Sequence, residues 1–460
     1  MPTHLSRLTL IWLVAIGFIA ASTWATDYGL PGPFSAGQRS VTVSRANGST
    51  FTAQLLYPAS AAGSNQPFHP QAGPAPAISF GHGFLQTTSR YLSTLQHLAS
   101  HGFIVIASDS ETSLFPSHGN FASDLSRCLT YLEQQNAAAG SFLAGKVDIA
   151  AFGISGHSMG GGASLLAAGT DLRIRAIAVE APAETNPSAV AASASLAAPA
   201  LLIVGDADTI VPTASHGQLM YNAIRTPRQV ANIRGGYHCG FIDSAGIGCD
   251  SSSLARADQL LTTRRLLTSW FSLYLKDSPS PWRVIWGPDA PIDTRVTQTV
   301  DPRMTLTPRT SSEIVPAAGT ARFALQLRNT DESPLDVDLV VEGAALGWSA
   351  TVTPTNVRGL AAGSVFAVSL DVAAPASGVA ELVLLAQNAA DGGTAAWASL
   401  ALAVACPADF NLDGGVDGAD IEAFFAAWTN GEAGADVNAD GGIDGGDVET
   451  FFSRWEAGGC

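Results

Sequence analysis

The sequence predicts an α/β fold for its larger part, a mostly parallel sheet with helices on both faces. A β-sandwich and a small helical segment follow. Three observations predict this order. From 77 to about 277, short apolar runs alternate with helical stretches, the pattern that a parallel sheet with crossover helices requires. From about 303 to 405, strand-like runs recur between Gly, Pro, Asn and Asp turns, with no helical stretch among them. From 406 to 460 the chain turns acidic and repeats itself.

The first 25 residues read as an export signal. Arg7 supplies a short positive region, Leu8 to Ala20 is apolar, and Ala21 and Ala25 offer small-residue cleavage points. The apolar run is too short to span a bilayer comfortably, so the expected product is secreted, extracellular or cell-surface associated. Ser40 to Tyr57 alternates apolar and polar residues around Asn47-Gly48, a hairpin signal. Phe121 to Gln135 reads as a helix. Leu254 to Lys276 carries Leu260, Leu261, Leu266, Leu267, Trp270, Phe271 and Leu275 at helical spacing, a last helix for the sheet. The α/β unit is therefore placed at 26–280. The proline-rich stretch that follows is read as a linker, 281–302. Strand-like runs at 321–327, 335–341, 348–352, 365–372 and 380–387 make 303–405 a β-sandwich.

Charge narrows the range of partners. Of the formal net charge of −16, residues 406–460 hold 12 acidic side chains against one basic, a net of −11, leaving −5 for the rest. Nucleic acid is excluded as a partner by this balance. The five cysteines suit an oxidising compartment. Cys239 and Cys249 bracket a short Gly-rich loop, and a disulfide there would brace it. Cys406 and Cys460 bracket the last segment and could clasp its ends. Cys128 is left over in the 121–135 helix as a small buried hydrophobe.

The chemistry centres on Gly156-His157-Ser158-Met159-Gly160-Gly161-Gly162. An apolar strand-like run, 147–154, precedes this G-x-S-x-G turn and an Ala-rich helical segment follows it. A strand-to-helix turn this tight lifts a serine hydroxyl above the sheet, and the flanking glycines avoid collisions with strand and helix. A serine is a weak nucleophile until a base takes its proton. His238 follows the run 229–233 and is the candidate base. An acid should orient that imidazole; Asp208 follows the run 199–205 and is the candidate, with Asp206 as the loop-ordering alternative. His82, His157 and His216 lack that placement. The N–H of Met159 and the N–H of Phe84, in the Gly81-His82-Gly83-Phe84 loop, are the candidate donors for an oxyanion. No catalytic cofactor is called for.

These residues resemble the cutinase, polyethylene terephthalate hydrolase and dienelactone-hydrolase-like branch of the α/β-hydrolases across about 37–277. The carrying motifs are Gly-His-Gly-Phe at 81–84, Gly-His-Ser-Met-Gly-Gly-Gly at 156–162, Asp-Thr-Ile-Val-Pro at 208–212, and His238. The resemblance implies an α/β-hydrolase fold. It also implies a serine esterase acting on a hydrophobic ester or polyester, with Ser158, Asp208 and His238 as triad and Phe84 and Met159 as backbone donors. Two departures matter. The tryptophan usual in polyester hydrolases falls at Ala183, so that aromatic wall is missing. Dienelactone hydrolases proper use a cysteine, which Ser158 excludes. A peptidase or carbohydrate esterase on the same fold, or an adhesion or scaffold protein with a spent hydrolase domain, are the alternatives that the residues leave open. The 303–405 segment resembles immunoglobulin-like modules of secreted glycosidases and reads as a spacer, with polymer binding as the sharper alternative.

The last segment holds a duplicated loop. Asp409, Asn411, Asp413, Gly415, Asp417 and Asp420 align with Asp436, Asn438, Asp440, Gly442, Asp444 and Asp447, and each loop leads into a helix with Phe-Phe and Trp at matching places. Oxygen side chains at loop positions 1, 3, 5, 9 and 12 with glycine at 6 suit calcium. The final ligand is Asp rather than the Glu of EF-hands. The pair resembles a dockerin domain, which implies two structural Ca2+ sites and a cohesin-like or cell-surface partner.

Overall fold

The computed structural model describes residues 27–460 apart from 277, 279–280, 288–292, 316–317, 345, 376–377, 391, 393–394, 405–407, 412–415, 439 and 458–460. The signal-like segment 1–25, Cys406, Cys460, Asp413 and Gly415 lie outside the described residues.

The α/β unit is built on a ten-stranded sheet. In chain order its strands are β1 (Ser35–Ser44), β2 (Thr50–Ala59), β3 (Gly63–Ser64), β4 (Ala75–Gly81), β5 (Ile104–Ser108), β6 (Val147–His157), β7 (Ile174–Glu180), β8 (Ala200–Gly205), β9 (Arg228–Ile233) and β10 (Val296–Asp301). They lie in the order β10-β9-β8-β7-β6-β4-β5-β2-β1-β3. The six central strands from β5 to β9 are parallel, while β2 and β10 run antiparallel to their neighbours. This is the mixed sheet of an α/β-hydrolase.

Period-two alternation explains why both faces are buried. In β8, Ala200, Leu202 and Val204 join one apolar cluster and Leu201 and Ile203 the other. The first cluster takes in α2 (His118–Ala137), α3 (Met159–Ala168), α4 (Ala189–Ser193) and α5 (Gly217–Ala223). The second takes in α1 (Leu92–Ser100), α6 (Arg256–Leu275) and α7 (Trp282–Ile285). Cys128 is a free thiol buried in α2, and burial pushes its pKa up. Strands buried on both faces read as continuous apolar runs, which is why they were visible in the sequence.

The stretch 281–302, expected to be a linker, differs from that expectation. Trp282, Ile285 and Trp286 are buried against α6, and β10 hydrogen-bonds along the whole of β9. The open edge of β9 accepts one more strand, and Val296–Asp301 has the alternating pattern to supply it.

A β-sandwich follows. Its first sheet, β11-β13-β17-β15, is formed by Met304–Thr307, Thr320–Asn329, Val365–Ala373 and Ser349–Thr353. The second, β12-β19-β18-β14-β16, is formed by Thr310–Val315, Ala395–Val404, Val379–Asn388, Leu335–Glu342 and Asn356–Leu360. The strict alternation of β13, exposed then buried throughout, delivers Phe323, Leu325 and Leu327 to the inner face. The sandwich also packs on the α/β unit: Val383, Leu385 and Ala395 share a buried cluster with Trp270, Trp282 and Trp286. Trp282 Nε1 donates to Glu342 Oε2 at 3.1 Å, and Arg225 pairs with Glu332 at 2.7 Å.

Two helices close the chain, α8 (Gly418–Asn430) and α9 (Gly445–Glu456). Each starts in a capping box, Asp417 with Asp420 and Asp444 with Asp447. Phe424 and Phe451 stack between them with ring centroids 4.2 Å apart. Among the described residues, no helix is long and apolar enough to cross a membrane.

Candidate active site

Ser158 sits between β6 and α3 with φ 58° and ψ −120°. A non-glycine residue in this region is strained, and the surroundings must enforce it. They do so through the backbone. The N–H of Ser158 donates to the carbonyl of Glu180 at 2.9 Å, and its carbonyl accepts from Ala183 at 3.0 Å and Gly162 at 3.1 Å. The glycines allow the close approach. A Cβ on Gly160 would lie 2.1 Å from the Gly81 carbonyl oxygen, and one on Gly156 would lie 2.6 Å from the backbone of Gly160.

His238 and Asp208 meet at the same end of the sheet. His238 Nδ1 and Asp208 Oδ2 are 2.8 Å apart, and both side chains are buried. The second carboxylate oxygen of Asp208 accepts from the N–H groups of Ile210 and Val211 at 2.9 and 2.7 Å. With Asp208 fixed and accepting, the imidazole carries its proton on Nδ1 and leaves Nε2 as the acceptor. Ser158 and His238 line one cleft of about 300 Å³. The described hydrogen bonds do not include one between them, and such contacts tighten when substrate binds. Asp206 is engaged elsewhere, accepting from the N–H of Gly235 at 2.6 Å.

The two candidate oxyanion donors flank the serine. Met159 is the first residue of α3, so its N–H has no intrahelical acceptor. Phe84 lines the cleft with Leu85, Ile210 and Ile247, all four exposed. The other histidines have structural partners. His82 lies between the carbonyls of Gly83 and Ser110, and His216 Nδ1 accepts from the N–H of Glu184. His157 is buried with its ring centroid 4.5 Å from that of His238. Burial, reinforced by His238, holds its pKa well below the ordinary value, so it stays neutral. A wider depression of about 560 Å³ between α2, α3 and α4 contains none of these groups.

Sequence reasoning missed two side chains around the site. Tyr91 accepts from the N–H of Gly83 and contacts His157 Nδ1, both at 2.9 Å, and so ties the Phe84 loop to the serine turn. Burial raises the phenol's pKa, which keeps the hydroxyl available as a donor to His157. Asp250 accepts from the backbone of His238 and Cys239 at 2.9 Å each. One signal for it was available: Asp250 follows Cys249, and Cys239 and Cys249 form a disulfide.

A family model described as PETase, PET hydrolase-like, matches residues 22–253, half of the chain. The chain belongs to this family. Within the curated relatives, cutinase est1 of Thermobifida alba is 33% identical over 148 residues, 32% of this chain and 47% of its own length. Cutinase 1 of Thermobifida cellulosilytica is 30% identical over 193 residues, 42% of this chain and 66% of its own. A bis(hydroxyethyl) terephthalate hydrolase of Streptomyces coelicolor is 29% identical over 204 residues, 44% and 59% respectively. The chain thus spans about half to two thirds of the length of these relatives. The matched region of the PET hydrolase-like domain carries Ser158, Asp208 and His238 together.

Beyond that domain, the duplicated loops show a common arrangement. Asp447 Oδ1 and Oδ2 accept from the N–H groups of Asn438 and Asp444, and Asp420 does the same with Asn411 and Asp417. Both carboxylates are fully buried. In the second loop Asp436 and Asn438 both accept from the N–H of Asp440, Asp440 from Gly442 and Asp444 from Gly446. Among the described residues, no three His, Cys, Asp or Glu side chains are placed to hold a metal ion together. The donor chemistry is nonetheless all oxygen, which fits a hard cation.

Proposed function

We propose that this chain is a carboxylic-ester hydrolase working through Ser158, His238 and Asp208. The observation that carries the reading is the 2.8 Å His238–Asp208 contact in the cleft of a serine held in a strained strand-to-helix turn. Membership of the PET hydrolase-like family, and relatives named as cutinases and a terephthalate ester hydrolase, support an ester bond as the target.

In this reading Ser158 Oγ attacks the acyl carbon while its proton passes to His238 Nε2. Asp208 stabilises the imidazolium without taking the proton. The N–H groups of Met159 and Phe84 receive the oxyanion. Collapse breaks the ester C–O bond, and His238 returns the proton to the leaving alkoxide, releasing the alcohol. Water then adds to the acyl-enzyme with His238 as base, and the acid departs as Ser158 regains its proton. The cleft is open and walled by Phe84, Leu85, Ile210 and Ile247. This suits hydrophobic esters: triglycerides, short acyl esters, cutin-like or synthetic polyesters.

The proposal extends to the ends of the chain. Residues 1–25 direct export. In the C-terminal repeat Asp409, Asn411, Asp413, Asp417 and Asp420, and Asp436, Asn438, Asp440, Asp444 and Asp447, would hold two Ca2+ ions, each bringing charge neutralisation to an acidic loop. That dockerin-like module would tether the enzyme to a cohesin-like or cell-surface partner, with the sandwich as spacer.

The test is Ser158→Ala in the full chain, assayed on p-nitrophenyl acyl esters. Turnover is expected to fall to background with the circular dichroism spectrum unchanged. Undiminished turnover would refute the assignment.

A further inference from the structure

We propose that Asp250 is a positioning residue that clamps the acid-bearing and base-bearing loops of the active site to each other. The inference rests on the ester-hydrolase reading above. Its carboxylate accepts from three backbone N–H groups on two loops: His238 at 2.9 Å, Cys239 at 2.9 Å and Thr209 at 3.3 Å. Thr209 directly follows Asp208. One side chain thus bridges the residue after the acid and the base itself, and the acid and base lie 30 positions apart.

The physical need is clear from the geometry. The Asp208–His238 contact is side chain to side chain, and its length is set by how the two loops are held. Asp208 secures its own loop through Ile210 and Val211. The disulfide secures Cys239 to Cys249 but makes no link to the acid loop. Asp250, next to Cys249, provides that link. A carboxylate accepting several backbone N–H bonds is a stiff support, because ionised acceptors form the stronger class of hydrogen bond. Without it three donors lose their acceptor, and the base can drift relative to the acid. A misplacement of about 1 Å costs roughly a hundredfold in rate.

The test is a double-mutant cycle in the full chain with a short p-nitrophenyl ester: wild type, Asp250→Asn, Asp208→Asn and the pair. Asparagine keeps the size and one acceptor oxygen, so the fold is retained. If Asp250→Asn fails to fold, Asp250→Glu, which keeps both oxygens, takes its place in the same cycle. The expected result is a fall in kcat of about tenfold or more for Asp250→Asn, with KM within about twofold. In the Asp208→Asn background the same change is expected to cost less than about twofold, because the contact that Asp250 protects is already lost. Equal losses in both backgrounds would show a general structural role and overturn the inference, as would an unchanged kcat. A wild type without ester turnover would overturn the hydrolase reading, and this inference with it. An active wild type with an indifferent Asp250→Asn overturns the inference alone.

Discussion

Glu180 ends β7 directly behind Ser158, its backbone carbonyl holding the N–H of Ser158 at 2.9 Å while its carboxyl is fully buried. Desolvation, with repulsion from Asp243, raises its pKa from 4.5 to about 8 against the opposing pull of Arg264. Between those two values the folded protein keeps a proton that the unfolded chain has released. Stability from this group is therefore complete below 4.5, falls as pH rises towards 8, and levels off above it. Glu180→Gln removes the titration. Its thermal midpoint, followed across this window, is expected to fall less steeply with pH than that of the wild type; parallel curves would contradict the assignment. The residues of the proposed triad were the most legible ones. Ser158 announced itself because a strained turn demands glycines around it, and those glycines stand in the sequence. Asp208 and His238 were legible because parallel sheets gather reactive groups just past strand ends. Tyr91 was not, since it reaches both Gly83 and the distant His157, a pairing that no local pattern marks, and for Asp250 the only signal was its place beside Cys249 of the disulfide.

Legibility at the level of elements followed burial. Strands covered on both faces, such as β4 and β8, are largely or wholly apolar runs and could be read directly. β10 is half covered at the sheet edge, and the surrounding prolines drew it into a supposed linker. β19 (Ala395–Val404) is rich in alanine, a poor strand former in isolation, and its pairing with β18 and β12 supplies what propensity lacks. The helix expected at 254–276, by contrast, showed its apolar spacing plainly, and α6 spans Arg256–Leu275. Sequence locates an element well when its own side chains carry the burial. It locates one poorly when a neighbour's open edge does.

For the molecule as a whole, the units are coupled unequally. The sandwich shares a buried cluster with the α/β unit through Val383, Leu385 and Ala395, a contact no local pattern could announce. The C-terminal pair of helices has its own small core of Phe424, Ala427, Ala435 and Phe451. Each of its tryptophans reaches across to the opposite loop: Trp428 Nε1 donates to the carbonyl of Asp444, and Trp455 Nε1 to that of Asp417. If calcium fills these loops, chelation should unfold this module and leave the active site intact. With EDTA, a separate low-temperature transition is expected in calorimetry while ester turnover stays within about twofold. A calorimetric trace indifferent to calcium would contradict the metal assignment. The central claim is that one strained serine, served by His238 and Asp208, performs the chemistry. The most direct measurement is peptide mapping by mass spectrometry after treating the full chain with a fluorophosphonate. A single adduct on Ser158, slowed strongly by His238→Ala, is the expected result. An unlabelled chain, or an adduct on another serine, would contradict it.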